Sequence, residues 1–358
     1  MRLQQLLAPA FLSASALADT LSNTLQDSGF TLFQQQLQSN PELLNSKEPG
    51  LVVYAPTDSG LSSSEGPGRV RRQLKYQNGY YFSGEQSQRY PLPSSFDRRM
   101  VTRNLQSGGD ARMTFLDDTA YVNLGWVNNQ SLVERPAGGK RQVYTGLGGN
   151  VNVAGNDIPF DNGVIRPIDG VQHRDLTLPE SISSTLPHLG VDKFHDLVKK
   201  SGLLSLLDST AGITVLAPDN SAFKNVTKWS DTELIELIKG HILVNFPAYT
   251  PLLKDGLVYP TLAGSKVKVT VREGTIYLNG AKILAGDAIA VNGAVHTIDR
   301  VLATFPGTAP VPEQTQATVP THVPEYVPTG AGMAAESLSW KALALSVMGV
   351  VAATRYWM

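Results

Sequence analysis

The chain has 358 residues, an apolar content of 42% and a formal net charge of -1. That length exceeds one ordinary domain, and near-neutrality supplies no overall field to attract nucleic acid or acidic membranes. Cysteine is absent, which excludes disulfides, zinc-thiolate sites and cysteine nucleophiles and leaves each domain to its packed core.

The first eighteen residues combine Arg2 with a short apolar run and the small-x-small triplet Ala16-Leu17-Ala18. This reads as a secretory signal over residues 1–18, cleaved before Asp19, because the run is too short to span a membrane. Residues 51–61 (LVVYAPTDSGL) form an apolar run that breaks at Pro56. Residues 69–103 hold Arg69, Arg71, Arg72, Lys75, Arg89, Arg98, Arg99 and Arg103 against Glu85 and Asp97. That segment reads either as a patch for anionic glycans or headgroups or as a solvated loop.

Asp117-Asp118 are neighbours on opposite faces of an expected strand, so they do not form the paired-carboxylate cleft of a polysaccharide hydrolase. Asn129-Gln130-Ser131 and Asn225-Val226-Thr227 are N-glycosylation sequons in an exported chain. The Gly-rich stretch 146–156 lacks a phosphate-loop Lys and opens no helix, so it reads as a turn among strands.

Phe194, Leu197, Val198, Leu203, Leu204, Leu206 and Leu207 follow helical spacing with an interruption at Gly202. Residues 212–223 (GITVLAPDNSAF) repeat the strand-then-proline pattern. Ser230 and Glu233 form a capping-box pattern that starts a helix. Lys266 to Val271 alternate as a half-buried strand, and Asn279-Gly280 and Asn292-Gly293 each read as a hairpin turn. Residues 305–329 carry prolines every few positions with threonines between, which describes an extended stalk. The segment 330–358 begins with small residues at Gly330, continues through a polar spacer and ends in an apolar tail from Ala342. That order matches a GPI-attachment signal, and the uncharged run 342–353 is shorter than a spanning helix needs.

Two motif pairs repeat in the same order. Ala55 and Ala217 stand 162 residues apart, whereas Asn162 and Asn292 stand 130 apart, so the first copy carries 32 additional residues. Helices precede paired strands in the clearer copy, which is an α+β pattern.

These blocks carry a resemblance to the fasciclin (FAS1) family. TVLAPDNSAF at 214–223 resembles its first conserved block, and NGAVHTIDRVL at 292–302 resembles its second. Between them the family often has a Tyr-His pair; Gly240-His241 keeps the His, and Tyr76-Gln77 is the matching pair in the first copy. There Arg166 stands in place of His296, and Pro167 is expected to interrupt its strand. The match is close over 194–304 and looser over 19–174.

The resemblance implies two tandem FAS1-like domains, each an α+β wedge or sandwich with helices packed at one side: a divergent domain at 19–175 and a second at 188–304. It also implies adhesion or wall and matrix organisation at the cell surface, without catalysis or cofactor. The expected partners are a cell-wall or matrix protein or glycan and homophilic FAS1 contacts, with a lipid anchor in the membrane and no nucleic acid. The signal segment, tandem domains, Pro/Thr stalk and GPI signal fit a fungal or plant surface adhesin of this type. The alternative is a vacuolar or endomembrane protein that keeps its C-terminal segment as an anchor. Candidate contact residues are Thr57, Asp58, Ser59, Asp219, Asn220, Ser221, His296 and Asp299. Each also has a structural reading, as a turn, helix cap or hydrogen-bonded strand residue.

Overall fold

The computed structural model describes residues 19–62, 78–84, 109–125, 129–169, 176–224 and 229–302. The secretory segment, every charged residue of the basic segment 69–103, Asn225, the stalk and Gly330 lie outside them.

Each half opens with three short helices. In the first half these are α1 (Leu21–Asp27), α2 (Thr31–Leu37) and α3 (Pro41–Leu44), followed by β1 (Leu51–Pro56) and α4 (Asp58–Ser62). The strands β2 (Phe82–Ser83), β3 (Asp110–Met113), β4 (Ser131–Ala137), β5 (Lys140–Tyr144), β6 (Asn150–Asn152), β7 (Ile158–Phe160) and β8 (Gly163–Ile168) complete it. The second half repeats the order. Its helices α5 (Ile182–His188), α6 (Asp192–Lys200) and α7 (Leu204–Ser209) precede β9 (Ile213–Pro218), a 3-10 turn at Asn220–Phe223 and α8 (Asp231–Gly240). Then come β10 (Ile242–Leu243), β11 (Val258–Pro260), β12 (Lys266–Arg272), β13 (Thr275–Leu278), β14 (Ala281–Ala290) and β15 (Gly293–Ile298).

Local chemistry accounts for the elements. The Thr20 hydroxyl accepts the Asn23 N–H (3.4 Å) at the start of α1, and Ser181 accepts the Ser184 N–H (3.2 Å) at the start of α5, each satisfying a donor the helix leaves open. The expected break at Gly202 separates α6 from α7, with a positive φ of 74°. The capping box is present: Glu233 N–H reaches Ser230 Oγ at 3.3 Å and Ser230 N–H reaches Glu233 Oε2 at 2.8 Å. Asn279 and Gly280 both take positive φ, at 48° and 83°, as a type I′ turn requires.

The duplication is most exact in the sheets. β1 runs parallel to β8, with Leu51 opposite Gly163 through to Pro56 opposite Ile168. β9 runs parallel to β15, with Ile213 opposite Gly293 through to Pro218 opposite Ile298. A parallel pair this far apart in sequence leaves no hairpin signal, so only tertiary structure reveals it. In the second half β14 continues unbroken, giving one seven-stranded sheet, β10-β9-β15-β14-β13-β12-β11. In the first half β6 and β7 take the place of β14, and two four-stranded sheets result, β2-β1-β8-β7 and β3-β4-β5-β6. The fold is α+β, with helices on the inner strands of each half.

Five expectations are corrected. The turn before β15 is Val291-Asn292, because Ala290 already pairs with Gly293. Gly293 is needed for a different reason: a Cβ there would collide with the Ile213 carbonyl, and one at Gly163 with the Leu51 carbonyl. Pro167 does not interrupt β8. Thr57 N–H bonds to Ile168 O at 3.1 Å; alternate residues of a parallel strand face opposite neighbours, and the β7 ladder ends at Ile158 opposite Ile165, so Pro167 costs no ladder bond.

Tyr80-Tyr81, not Tyr76-Gln77, holds the place of Gly240-His241. Tyr54 N–H bonds to Tyr81 O (2.9 Å) as Leu216 N–H bonds to His241 O (2.8 Å). Asp117-Asp118 lie in the loop after β3, where Asp118 Oδ1 accepts the Ala120 N–H at 2.8 Å. The second domain begins before residue 188, because α5 buries Ile182 and Leu186 among its helices.

Two buried clusters form the core. One unites first-half residues such as Tyr54, Phe82 and Leu132 with Leu216, Phe246 and Tyr249 of the second half. The other joins α5, α6 and α7 to the inner strands of the second half alone. The halves therefore share one apolar interior and belong to one compact unit.

Candidate binding surface

The polar residues of the first block act as long-range helix caps. Neither α2 nor α6 has a side-chain cap of its own, since Phe30 and Val191 stand at those positions. Asp58 supplies the missing acceptor for α2, taking the Leu32 N–H at 3.0 Å and the Thr31 N–H at 3.3 Å. Asn220 does the same for α6, with Oδ1 accepting the Lys193 N–H at 3.0 Å and Nδ2 donating to Gly190 O at 2.9 Å. Thr57 Oγ1 accepts the Gly60 N–H (3.3 Å) and lies 3.1 Å from Ser59 Oγ. Asp219 accepts the Ala222 N–H and the Ser221 hydroxyl, both at 2.9 Å. Ser59 and Ser221 are exposed, and the other four of these six are half-buried.

The second block braces the same construction. Asn162 Nδ2 donates to Ser46 O (2.9 Å) and Glu48 O (2.7 Å), tying the turn before β8 to the chain after α3. Asn292 Nδ2 donates to Leu207 O (2.6 Å) and Thr210 O (2.7 Å), tying the turn before β15 to the end of α7. Asp299 exchanges bonds with the Lys282 backbone at 2.9 and 3.0 Å, and Asp169 does so with Asn152 at 2.8 and 3.0 Å. The Arg300 guanidinium beside Asp299 holds that carboxyl below the usual carboxylate range. Asp219 N–H bonds to Ile298 O (2.9 Å), so Asp219 and Asp299 follow adjacent strand ends.

His296 is not a contact residue: it has no exposed surface. Its Nδ1 accepts the Asp287 N–H (3.0 Å) and its Nε2 donates to Ala248 O (2.8 Å). Each ring nitrogen has one role, which is the neutral ring's pattern, and burial lowers its pKa.

Two residues that sequence reasoning did not single out organise the centre. Glu134 and Arg135 are consecutive on β4, so they point to opposite faces. Glu134 is buried beneath the Tyr54 hydroxyl (3.0 Å) and Arg166 Nη1 (2.6 Å), and it also pairs with Arg141. Arg166 in turn reaches Asp157 at 2.8 Å, and that guanidinium holds the Asp157 carboxyl below its usual range. Arg135 faces the other half. It lies 2.9 Å from Asp287 and 4.0 Å above the Tyr144 ring.

Asp287 has no exposed surface; it accepts the Thr250 N–H at 2.7 Å and the Thr250 hydroxyl. Asp157 and Asp287 stand 130 residues apart, in step with Asn162 and Asn292, and that offset is the signal that identifies them. Each answers a different cation: Arg166 within its own half, or Arg135 across the boundary.

The boundary carries further bonds. Asn123 N–H reaches Val291 O (2.7 Å), Ile289 N–H reaches Thr145 O (3.1 Å), and Gln130 Nε2 reaches Ala290 O (3.2 Å). Asn123 and Gln130 belong to the long stretch between β3 and β4, which in the first half replaces the short β11–β12 connection. Asn129 is half-buried beside Gln130 and Ser131, which are both buried. A groove of about 730 Å³ opens where Gly109, Arg135 and Pro136 meet Pro251, Lys254 and Ile283. Burial there lowers the Lys254 pKa.

The fold, the paired blocks and the bracing asparagines define the class. The Fasciclin domain model matches residues 190–304, so the second half carries a fasciclin domain. A fasciclin-like arabinogalactan protein of Arthroderma benhamiae is 30% identical over 56% of this chain and 47% of its own length. Fasciclin-like arabinogalactan protein elcF of Phaeosphaeria nodorum is 25% identical over 84% of this chain and 93% of its own. The chain thus spans about half of the first relative and nearly all of the second. A solved FAS1 domain pair from the insect cell adhesion molecule fasciclin I is 16% identical, with a TM-score of 0.35 over 78% of this chain and 98% of that one.

Proposed function

We propose that the protein is a non-catalytic binding module of the cell exterior, serving adhesion or organisation of the cell wall or matrix. The observation that carries this reading is the use made of the signature residues. Asp58, Asn220, Asn162, Asn292, His296 and Asp299 each bond at least one backbone group of the fold, so the blocks maintain a scaffold. The fasciclin domain at 190–304 and two relatives named fasciclin-like arabinogalactan proteins support an extracellular setting. The shared core makes the two halves one rigid display surface, which lowers the entropic cost of engaging a partner.

The module is delivered by the segment 1–18, raised on the stalk 305–329, tethered by a lipid at Gly330 and N-glycosylated at Asn129 and Asn225. Its exposed turns at Ser59 and Ser221 are candidate contact points.

The test is retention of the purified secreted chain on isolated wall and matrix fractions. Specific, saturable retention is expected, and passage through the fractions like an inert protein overturns the reading. Treating intact cells with a phospholipase specific for phosphatidylinositol checks the tether. Release is expected; retention favours a peptide anchor of the endomembrane kind.

A further inference from the structure

Strands β12, β13 and β14 present one buried and one outward face. Along β12, Val267 and Val269 are buried while Lys266, Lys268 and Arg272 are exposed. Register carries this alternation across the sheet. Val258 stands opposite Lys268, Thr270 opposite Tyr277, and Tyr277 opposite Lys282, and residues directly opposite share a face. The outward face therefore carries Lys266, Lys268, Arg272 and Lys282, with Tyr277 set between Thr270 and Lys282.

No outward position of β11 to β14 holds an Asp or Glu, in a chain whose formal charge is -1. Of the nearby acids, Asp299 is engaged with Arg300, Asp255 accepts the Val271 N–H at 2.8 Å, and Glu273 lies in the β12–β13 turn. An ordinary solvated face mixes both signs. The two most exposed large apolar residues described, Leu284 at 49% and Val258 at 46%, also lie at the margins of this face.

We propose that this face binds an acidic polysaccharide, a glycan chain bearing repeated carboxylate or sulfate groups. The proposal rests on the reading of the protein as an extracellular binding module and names its ligand class and surface. Outward residues recur about every 6.7 Å along a strand, and strands lie about 4.8 Å apart. The four cations thus form an array suited to a repeating polyanion and are too dispersed to enclose a single phosphate. Tyr277 offers a ring for stacking on a sugar, and Thr270 beside it offers a hydroxyl. An acidic peptide is less well matched, because peptides commonly add a strand to an open sheet edge, whereas all four cations stand on β12 and β14, which are paired on both sides. A lipid surface is less well matched because Val258 and Leu284 sit at opposite margins and do not form one insertion patch.

The test uses the purified secreted chain and its quadruple variant K266Q/K268Q/R272Q/K282Q, with Y277A and a control variant K193Q/K199Q/K200Q on α6. Unchanged thermal melts establish that each variant is folded. The probes are polygalacturonate, a sulfated glycan, a neutral glucan, polyglutamate, and vesicles containing phosphatidylserine. The expected result is binding of the acidic glycans that weakens with salt. It should fall at least tenfold in the quadruple variant and about three- to tenfold in Y277A, with no change in the control.

Equal glycan binding by the quadruple variant and the native chain overturns the proposal. So does a preference for vesicles or polyglutamate that Y277A leaves unmoved, since that assigns the face to a membrane or an acidic protein. Wall retention separates this inference from the broader one. If the native chain is not retained, the binding-module reading fails; if native chain and quadruple variant are retained equally, only the assignment of this face fails.

Discussion

Replacing Arg135 by Ala tests whether the ion pair across the boundary holds the halves together. Asp287 has no exposed surface, and Arg135, at 26% exposure, is its cation at 2.9 Å. After the substitution the carboxylate keeps the Thr250 N–H and hydroxyl but loses its cation. Removing one partner of a buried pair costs about 3–5 kcal/mol, and the lower end applies because water reaches Arg135. The lost contact with the Tyr144 ring adds about 0.5–1 kcal/mol. R135A is therefore expected to cost about 3–4 kcal/mol. D287N is milder, at about 1–2 kcal/mol by the same reasoning, because the part-exposed guanidinium it leaves can turn to solvent. Urea unfolding followed by circular dichroism on both single variants and the double gives the coupling energy, expected near 2 kcal/mol. A loss from R135A below about 0.5 kcal/mol, or strictly additive losses, refutes a structural role for this pair.

Three further outcomes are expected. Burial lowers the His241 pKa to about 4, and its Nε2 already accepts the Leu302 N–H at 2.9 Å. The unfolded ring takes up a proton near pH 6.5 and the folded ring does not, so stability is complete above that pH. It declines as pH falls from about 6.5 to about 4, by about 3 kcal/mol. His296 acts in the same direction, and H241L should flatten the profile of urea midpoint against pH. Gly293→Ala and Gly163→Ala each drive a Cβ into backbone and should abolish soluble expression. Gly280→Ala meets open space and should cost about 1 kcal/mol for its positive φ. Asn220→Ala should lower stability by about 1 kcal/mol through the lost cap of α6, and Asn220→Asp should not restore it, because a carboxylate oxygen would then face Gly190 O and the Asp192 carboxylate; thermal melts decide both.

How far the sequence could be read depended on the range of each interaction. Ser230 with Glu233, the break at Gly202, the alternation from Lys266 to Val271 and the Asn279-Gly280 turn are set by residues within a few positions of one another, and the structure carries all four. The repeated blocks gave the duplication, and with it the α+β class. Gly293 was legible as important but not for the right reason, because its constraint comes from Ile213, eighty residues earlier in the chain. His296 looked like a contact residue for the same cause. A histidine between apolar neighbours reads alike whether its ring meets solvent or Ala248 O.

Tertiary structure alone decided the assembly of the halves. Nothing local distinguishes Glu134 from Arg135, yet strand alternation sends one beneath Arg166 and the other to Asp287. Nothing local makes Asp58 and Asn220 cap helices that lie earlier in the chain. By itself the sequence determined the kind of domain, its duplication and the order of its elements, since periodicity, caps and turns are short-range effects. The parallel strand pairs, the shared core and the cation that each buried aspartate answers depend on which distant surfaces meet, and chain packing settles that.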